Sequence, residues 1–421
     1  MNRNIRMLVL AAAVVGARVT HAGDWPQILG PNRNGIAVDE HLNFDWKGAP
    51  ATLWKRDVGD GVAGVAVADG RAVLFHRTKA VEQVEAMDAK TGTVLWTVGF
   101  PTGFRSQVGT AGDGPRCVPI IHKGNVIVYG AGGDLHCVAL ADGKERWSRK
   151  AFQEFGAPDG YFGAGSTPIV EGNKVLVNVG ADRDTAGIVA FDLGTGETVW
   201  KATNEQASYS APAAVTLDGV RHVIFVTRLN VVSIDPENGA VRFRFPFGQR
   251  GPTVNAATPL VIDHTVFVTA SYDIGGMLAT IGATESKVVW KTTEMESQYP
   301  TPIYKDGYLY GINGRQDVGV AKLCCLDLKS GHAVWEKSDF GMASLILADG
   351  KLLIMKTDGT LVVADPDPNL KLAKARLLVS AKVLENASSN NPALALPALA
   401  DGLLYVRDSR TLKCLDLRKQ P

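Results

Sequence analysis

One phrase recurs along the chain at fixed internal offsets. In "AMDAKTGTVLW" (86–96) Asp88 stands eight residues before Trp96 and Gly92 four before it. "CVALADGKERW" (137–147), "AFDLGTGETVW" (190–200), "SIDPENGAVRF" (233–243) and "CLDLKSGHAVW" (325–335) keep the frame; Ala139 replaces the acid once and Phe243 the tryptophan once. "TIGATESKVVW" (280–290) is a degenerate copy, aligned with Thr280, Gly282 and Ser286 in the repeat positions. Partial copies surround Asp365 and Asp416, giving eight units at spacings of 38 to 53 residues. A period of this size belongs to stacked or ringed repeat architectures.

The residues between the phrases choose among them. Residues 166–202 read "STPIV", "KVLVNVG", "GIVAFD" and "ETVWKA", separated by "EGN", "ADRDTA" and "LGTG". Four short strands per unit without helical periodicity describe a propeller blade. Glycine in the third-to-fourth-strand turn permits positive φ, and the tryptophan supplies an apolar plate for the neighbouring blade. The last copy ends after "CLDLR" without a fourth strand, while "ATLWKRD" (51–57) is a tryptophan-bearing fourth strand without a third. Pairing the two closes the ring and removes its open edges. The fold expected is all-β: an eight-bladed propeller of four-stranded blades over residues 50–418, preceded by an arm at 23–49.

Residues 1–22 read as an export signal. Arg3 and Arg6 precede the apolar run 7–17, and small residues "THA" (20–22) follow it. The mature chain is expected near Gly23, periplasmic or secreted, soluble and monomeric, with no membrane span. No cysteine follows the cut, so no lipid anchor is expected there. Lys+Arg 44 against Asp+Glu 43 leaves a net charge of +1, which supplies no global attraction to nucleic acid or anionic membranes.

The five cysteines have neither metal-site nor haem-attachment spacing. Adjacent Cys324 and Cys325 invite a redox reading. However, Cys325 stands two residues before the repeat aspartate, where the other copies carry Ala86, Cys137, Ala190, Ser233, Thr280, Val363 and Cys414. It reads as a small buried strand residue. The recurring Asp88, Asp192 and Asp327 read as turn caps.

The "AxDxxTGxxxW" phrase resembles the repeat of the pyrroloquinoline-quinone (PQQ)-like β-propeller family. "WPQILGPNRNG" (25–35) resembles the N-terminal segment of a secreted bacterial branch of it. The resemblance covers nearly the whole mature chain and implies the fold. It implies two functions: quinoprotein alcohol dehydrogenases, which bind PQQ with calcium, and the propeller lipoprotein of the outer-membrane barrel-assembly machinery, which binds protein without a cofactor. Six of the eight tryptophans sit in blade positions, no calcium-binding acid cluster stands out, and the dehydrogenases are considerably longer.

In a propeller the loops between blades share one face with those joining strands two and three. Here the loops between blades are 103–116, 155–165, 203–210, 247–257 and 294–300, and the strand-two-to-three loops include 76–79, 181–184, 227–230, 313–317 and 406–410. Arginines 77, 105, 116, 183, 228, 250, 315 and 407 fall on that face. They suit carboxylate, phosphate or sulfate recognition, or else they stitch loops by pairing with Asp113, Asp182, Asp184, Asp317 and Asp408. The candidate ligand-binding residues are Arg105, Arg116, Tyr161, Tyr209, Arg250, Asn255, Gln298, Tyr299 and Arg315. GxSxG, HExxH and phosphate-loop signatures are absent from the sequence. The expectation is a non-catalytic propeller binding a protein, glycan or anionic ligand on this face, with no cofactor. The alternative is a compact PQQ- and calcium-dependent dehydrogenase of an alcohol or sugar, with Asp113 as general base.

Overall fold

A computed structural model describes residues 23–108, 112–369 and 377–419; the export-signal reading of 1–22 lies outside them. The chain enters through β1 (Ala51–Asp57). Blade 1 is β2 (Val65–Ala68), β3 (Arg71–Thr78), β4 (Val81–Asp88) and β5 (Val94–Pro101). Blade 2 is β6 (Ile120–His122), β7 (Asn125–Tyr129), β8 (Asp134–Ala139) and β9 (Glu145–Lys150), followed by the short α1 (Ala151–Phe155). Blade 3 holds β10 (Ile169–Glu171), β11 (Lys174–Val177), β12 (Ile188–Asp192) and β13 (Thr198–Ala202). Blade 4 holds β14 (Ala213–Leu217), β15 (Val220–Val226), β16 (Asn230–Ile234) and β17 (Val241–Pro246). Blade 5 holds β18 (Leu260–Ile262), β19 (Thr265–Ala270), β20 (Gly275–Ile281) and β21 (Ser286–Thr292). Blade 6 holds β22 (Ile303–Lys305), β23 (Tyr308–Arg315), β24 (Val320–Asp327) and β25 (Ala333–Lys337). Blade 7 holds β26 (Ala343–Ala348), β27 (Lys351–Lys356), β28 (Thr360–Ala364) and β29 (Leu377–Lys382). Blade 8 holds β30 (Ala398–Ala400), β31 (Leu403–Arg407) and β32 (Thr411–Asp416), completed by β1. Each sheet is an antiparallel meander, and β1 pairs with β32 to bring Trp54 opposite Cys414, closing the ring as the sequence expects.

The repeated phrase works between blades. The indole N–H of Trp54 donates to Ala89 O at 3.0 Å, Trp96 to Leu140 O at 2.9 Å and Trp147 to Leu193 O at 2.9 Å. Trp200, Trp290 and Trp335 do the same to Pro236, Leu328 and Asp367 of their next blades. Each of the first five of these indoles lies on a turn glycine. A Cβ at Gly92, Gly143, Gly196, Gly239 or Gly331 would come within 2.5–2.7 Å of the ring, and all five have φ between 69° and 78°. An indole burying about 200 Å² contributes on the order of 5 kcal/mol at roughly 25 cal/mol/Å², against about 1 kcal/mol for its hydrogen bond. Packing therefore dominates, which is why Phe243 fills the position in blade 4 while remaining 5% exposed.

The repeat aspartates cap these turns. Asp88 Oδ1 accepts from the backbone of Lys90 and Thr91, Asp192 Oδ1 from Gly194 and Thr195, and Asp327 Oδ1 from Ser330. These bonds hold all three carboxyls below their ordinary range. A β-bulge interrupts every outer strand pair at this level, including Ala86/Met87, Cys137/Val138 and Cys325/Leu326. Bulges twist the free outer edges away from further pairing.

All five cysteines are buried and free. Cys325 faces Trp335 as Cys137 faces Trp147, and Cys324 continues the ladder between Gly311 and Glu336. Burial pushes the Cys325 thiol up to about 12. The alignment of the degenerate copy needs correction: Leu278, not Thr280, lies opposite Trp290. Its hairpin closes by Gly282 N donating to Glu285 O, so strand pairing runs two residues further and no turn glycine remains for Phe243 to cover.

The arm crosses the face opposite the long loops. Trp25 pairs with Val67, Pro26 O accepts from Ile121 N, Gly35 and Ala37 bridge Leu347, and Glu40 accepts from Gly402 N. Arg33 reaches Pro212 O and Pro168 O, just before the inner strands β14 and β10, and is 3% exposed. Burial lowers its pKa to about 9, leaving it charged at neutral pH.

Two substitutions separate the components of the blade contact. Trp96→Phe loses the bond to Leu140 and should cost about 1 kcal/mol in urea unfolding. Gly143→Ala meets both the indole and an unfavourable φ and should cost more, on the order of 2–4 kcal/mol. Equal effects would contradict this division.

Candidate functional site

The long-loop face is held by arginines that donate to carbonyl oxygens. Arg77 bonds Lys79 O, Phe104 O and Asp113 O, each at 2.9 Å. Arg116 bonds Gly114 O and Gly112 O, and Arg407 bonds Ala63 O and Gly59 O. Arg228 donates to Thr253 Oγ1 and Gly251 O. Loop stitching is therefore the role of these four, but the expected carboxylate partners occur elsewhere: Arg105 lies 3.5 Å from Asp113, and Arg315 pairs with Asp317. A guanidinium's five donors suit several carbonyls at once.

Nearer the axis, hydroxyls beside the prolines that begin the inner strands tie blade to blade. Val118 N donates to Thr167 Oγ1, Ser166 Oγ to Ser210 O, Ser210 Oγ to Ala257 O, and Thr258 N to Thr301 Oγ1. The signal for this lacing was present in "STP", "SAP", "ATP" and "PTP" but is masked by the more conspicuous tryptophan repeat.

The candidate residues separate into two groups. Tyr161, Tyr209 and Asn255 line a cavity of about 150 Å³ shared by blades 2, 3 and 4, with Tyr129, Phe152, Asn178 and Arg228. Tyr209 Oη accepts from the backbone N–H groups of Tyr161 and Phe162, each at 3.0 Å, and its ring packs edge-on against Phe162 at 5.4 Å. Arg116 lies over the other side of this aromatic pair, 5.8 Å from the Phe162 ring. Asn255 is 1% exposed, and its amide nitrogen donates to Thr227 O and Arg228 O. Arg105 and Arg250 are exposed on neighbouring loops.

Gln298 and Arg315 form a second cluster over blades 5 and 6. The Arg315 guanidinium stacks 4.2 Å from the Tyr272 ring, and Gln298 Nε2 donates to Tyr272 Oη. Tyr272 and Asp273 both adopt positive φ, 70° and 61°. Tyr299 turns away from the face and packs against the core between blades 6 and 7, where burial pushes its phenol upward. An aromatic beside a proline gave no sequence cue to this inward direction.

Sequence reasoning missed Glu82, which is 1% exposed beneath the face and accepts from Ala131 N at 2.9 Å. Burial, opposed in part by that bond and by Arg77 and Arg116, raises its pKa to about 7, with Asp134 adding repulsion. The folded protein thus holds this proton more tightly than the unfolded chain does. The associated stability is complete below about pH 4.5 and is lost as pH rises through 7. Between pH 4.5 and 8 the wild type should lose up to about 3 kcal/mol relative to Glu82→Gln in denaturant unfolding. Parallel pH profiles would contradict the placement.

A calcium-bound quinone centre would need a cluster of metal ligands and an aromatic platform for the quinone. Among the described residues no group of three or more His, Cys, Asp or Glu side chains is arranged for a metal ion. Six indoles are engaged between blades, and Trp25 is 2% exposed inside the arm contact. Asp113, the candidate base, accepts from Ser106 N and lies against Arg105.

Comparison with known proteins gives two kinds of relative. The chain is 22% identical over 359 residues to outer membrane protein assembly factor BamB of Burkholderia pseudomallei, covering 75% of this chain and 82% of that protein. It is 30% identical over 201 residues to quinoprotein ethanol dehydrogenase of Pseudomonas aeruginosa, covering 43% of this chain and only 28% of the dehydrogenase. The crystal structure of BamB from Moraxella catarrhalis superposes with a TM-score of 0.61 at 15% identity, over 88% of this chain and 98% of that one. A europium-containing methanol dehydrogenase superposes at 0.69 and 12% identity, over 92% and 89%. At such identities the structures establish the fold. The family model described as outer membrane protein assembly factor BamB matches residues 80–337, and the chain belongs to that PQQ-like propeller family.

Proposed function

We propose that the chain is an exported, non-catalytic propeller that binds a protein partner on its long-loop face. The observation that carries this reading is the construction of the face. Arg77, Arg116, Arg228 and Arg407 are engaged with loop groups, mainly carbonyls, leaving a preformed surface of aromatic and amide groups around one small cavity. Preformed surfaces bind with less ordering cost. The likeness to an assembly factor over 82% of its length supports a protein as the partner. The arm occupies the opposite face, and among the described residues no helix is long and apolar enough to cross a membrane.

The quinoprotein reading rests on the dehydrogenase likeness. Photoreactive benzoylphenylalanine at position 161, on the long-loop face, should give a discrete protein adduct in the producing cell, whereas position 123 on the opposite face should not. In parallel, titrating the purified mature chain with PQQ and calcium should leave its tryptophan fluorescence unchanged. Equal cross-linking from both positions would contradict the assigned face. Saturable, calcium-dependent quenching would favour the dehydrogenase.

A further inference from the structure

The arm holds the ring by backbone pairing at one recurring position. Each inner strand passes to the next through a two-residue hairpin, as at Ala68 and Arg71, His122 and Asn125, or Ala348 and Lys351. The pair flanking such a turn bonds within the sheet, so the residue before it directs its N–H and C=O away from the neighbouring strand. In blade 1 that residue is Val67, whose N–H donates to Trp25 O at 2.8 Å and whose C=O accepts from Trp25 N at 2.7 Å. In blade 2 it is Ile121, whose N–H donates to Pro26 O at 2.8 Å. In blade 7 it is Leu347, bonded at 2.9 Å to both Gly35 O and Ala37 N. Trp25 and Pro26 are consecutive, so a single step of extended chain serves two adjacent blades.

Blades 4 and 5 repeat this geometry without the arm. Leu217 and Val220 flank one hairpin turn, Ile262 and Thr265 the other, which makes Thr216 and Val261 the corresponding residues. Among the described residues no backbone bond from outside the sheet reaches either of them. Both line a single cleft of about 420 Å³ between arm residues 32–34 and the inner strands β14 and β18. Thr216 is exposed and Val261 partly so, which opens the cleft to solvent. The Arg33 guanidinium is spent on Pro168 O and Pro212 O. The exposed charges at the rim are therefore Asp263 and the pair of Asp218 with His264, 3.2 Å apart.

We propose that this cleft takes an extended polypeptide segment of another protein. The segment adds to β14 and β18 through its backbone, as Trp25 and Pro26 add to β2 and β6, and sets a cationic side chain beside Asp263. The site lies on the face opposite the long loops and does not rest on the partner surface proposed there. Lys123, at the blade 2 hairpin, borders an inner strand already paired with the arm, so a segment at blades 4 and 5 predicts no cross-link from position 123.

The test is amide-detected NMR on the full mature chain, titrated with the blocked tripeptide N-acetyl-Val-Lys-Val N-methylamide. The Thr216 and Val261 amide signals should shift saturably, while those of Val67 and Leu347 should not move. The same peptide methylated on its backbone nitrogens should not bind, and the Val-Glu-Val peptide should bind about threefold more weakly. Val261→Pro removes an N–H on the free edge of an inner strand, outside the ladder. Its melting temperature should stay near that of the wild type, while affinity should fall about fivefold. Asn32→Trp, which plugs the cleft from the exposed arm, provides a second variant and should abolish binding. Equal binding of the methylated peptide, shifts confined to other residues, or an affinity unchanged in both variants would overturn the strand-addition site, whatever cross-linking from position 161 shows. Equal binding of the lysine and glutamate peptides would overturn the cationic preference.

Discussion

The structure depends on an indole laid over the next blade's turn. Each such contact joins a residue on an outer strand to a glycine about 45 positions later, so local sequence must anticipate a neighbour one blade on. The two halves are not always kept together: Trp335 still donates to Asp367 O although residues 365–376 of blade 7 contain no glycine. Phe243 replaces tryptophan in blade 4, and the blade 5 hairpin beyond it closes more tightly, through Gly282 N donating to Glu285 O, with no glycine lying against the ring. Blade 7 carries Val379 where the tryptophan would stand, and blade 8 ends after β32 without a following turn. There Lys413, 5% exposed, joins the blades by donating to Val383 O and the Glu385 carboxylate. A buried ammonium with two oxygen acceptors is a different solution to the same constraint.

This contact also orders the two faces of the ring. It sits on the short-turn side, leaving the other ends of the strands for long loops. Those loops contain carbonyl groups that no ladder satisfies, and buried guanidiniums meet that need. The arm serves the opposite end, adding backbone pairs to inner strands only three to six residues long and sending Arg33 toward their far ends. One face is consequently crossed by the arm, while the other presents the long loops.

The fold was legible because its determinants recur. Eight versions of one phrase average out exceptions such as Phe243 and Ala139, and the missing fourth strand near Asp416 points directly to Trp54. The same logic identified Cys325 as a strand residue. It failed at Thr280, where a turn of different length shifted the register by two and no residue near the turn advertises the change. The candidate site was less legible because its determinants occur once. Arginine identity located the face, but whether a guanidinium meets a carboxylate or a carbonyl depends on loop paths that are not periodic. Asn255 and Tyr161 were placed on a common face by loop assignment alone, whereas Tyr129 and Glu82 looked like ordinary strand positions. Tyr299 shows the converse: a loop aromatic that the neighbouring core accepted.

The closure of the ring carries every other element, since β1 supplies both the last edge of blade 8 and the indole that rests on blade 1. Hydrogen exchange resolved along the mature chain tests it most directly. The account expects the amides of β1 that pair with β32 to exchange as slowly as those of the other outer strands and to open only with the whole ring. Fast exchange of β1 while β31 and β32 remain protected would show that the N-terminal strand does not close the propeller.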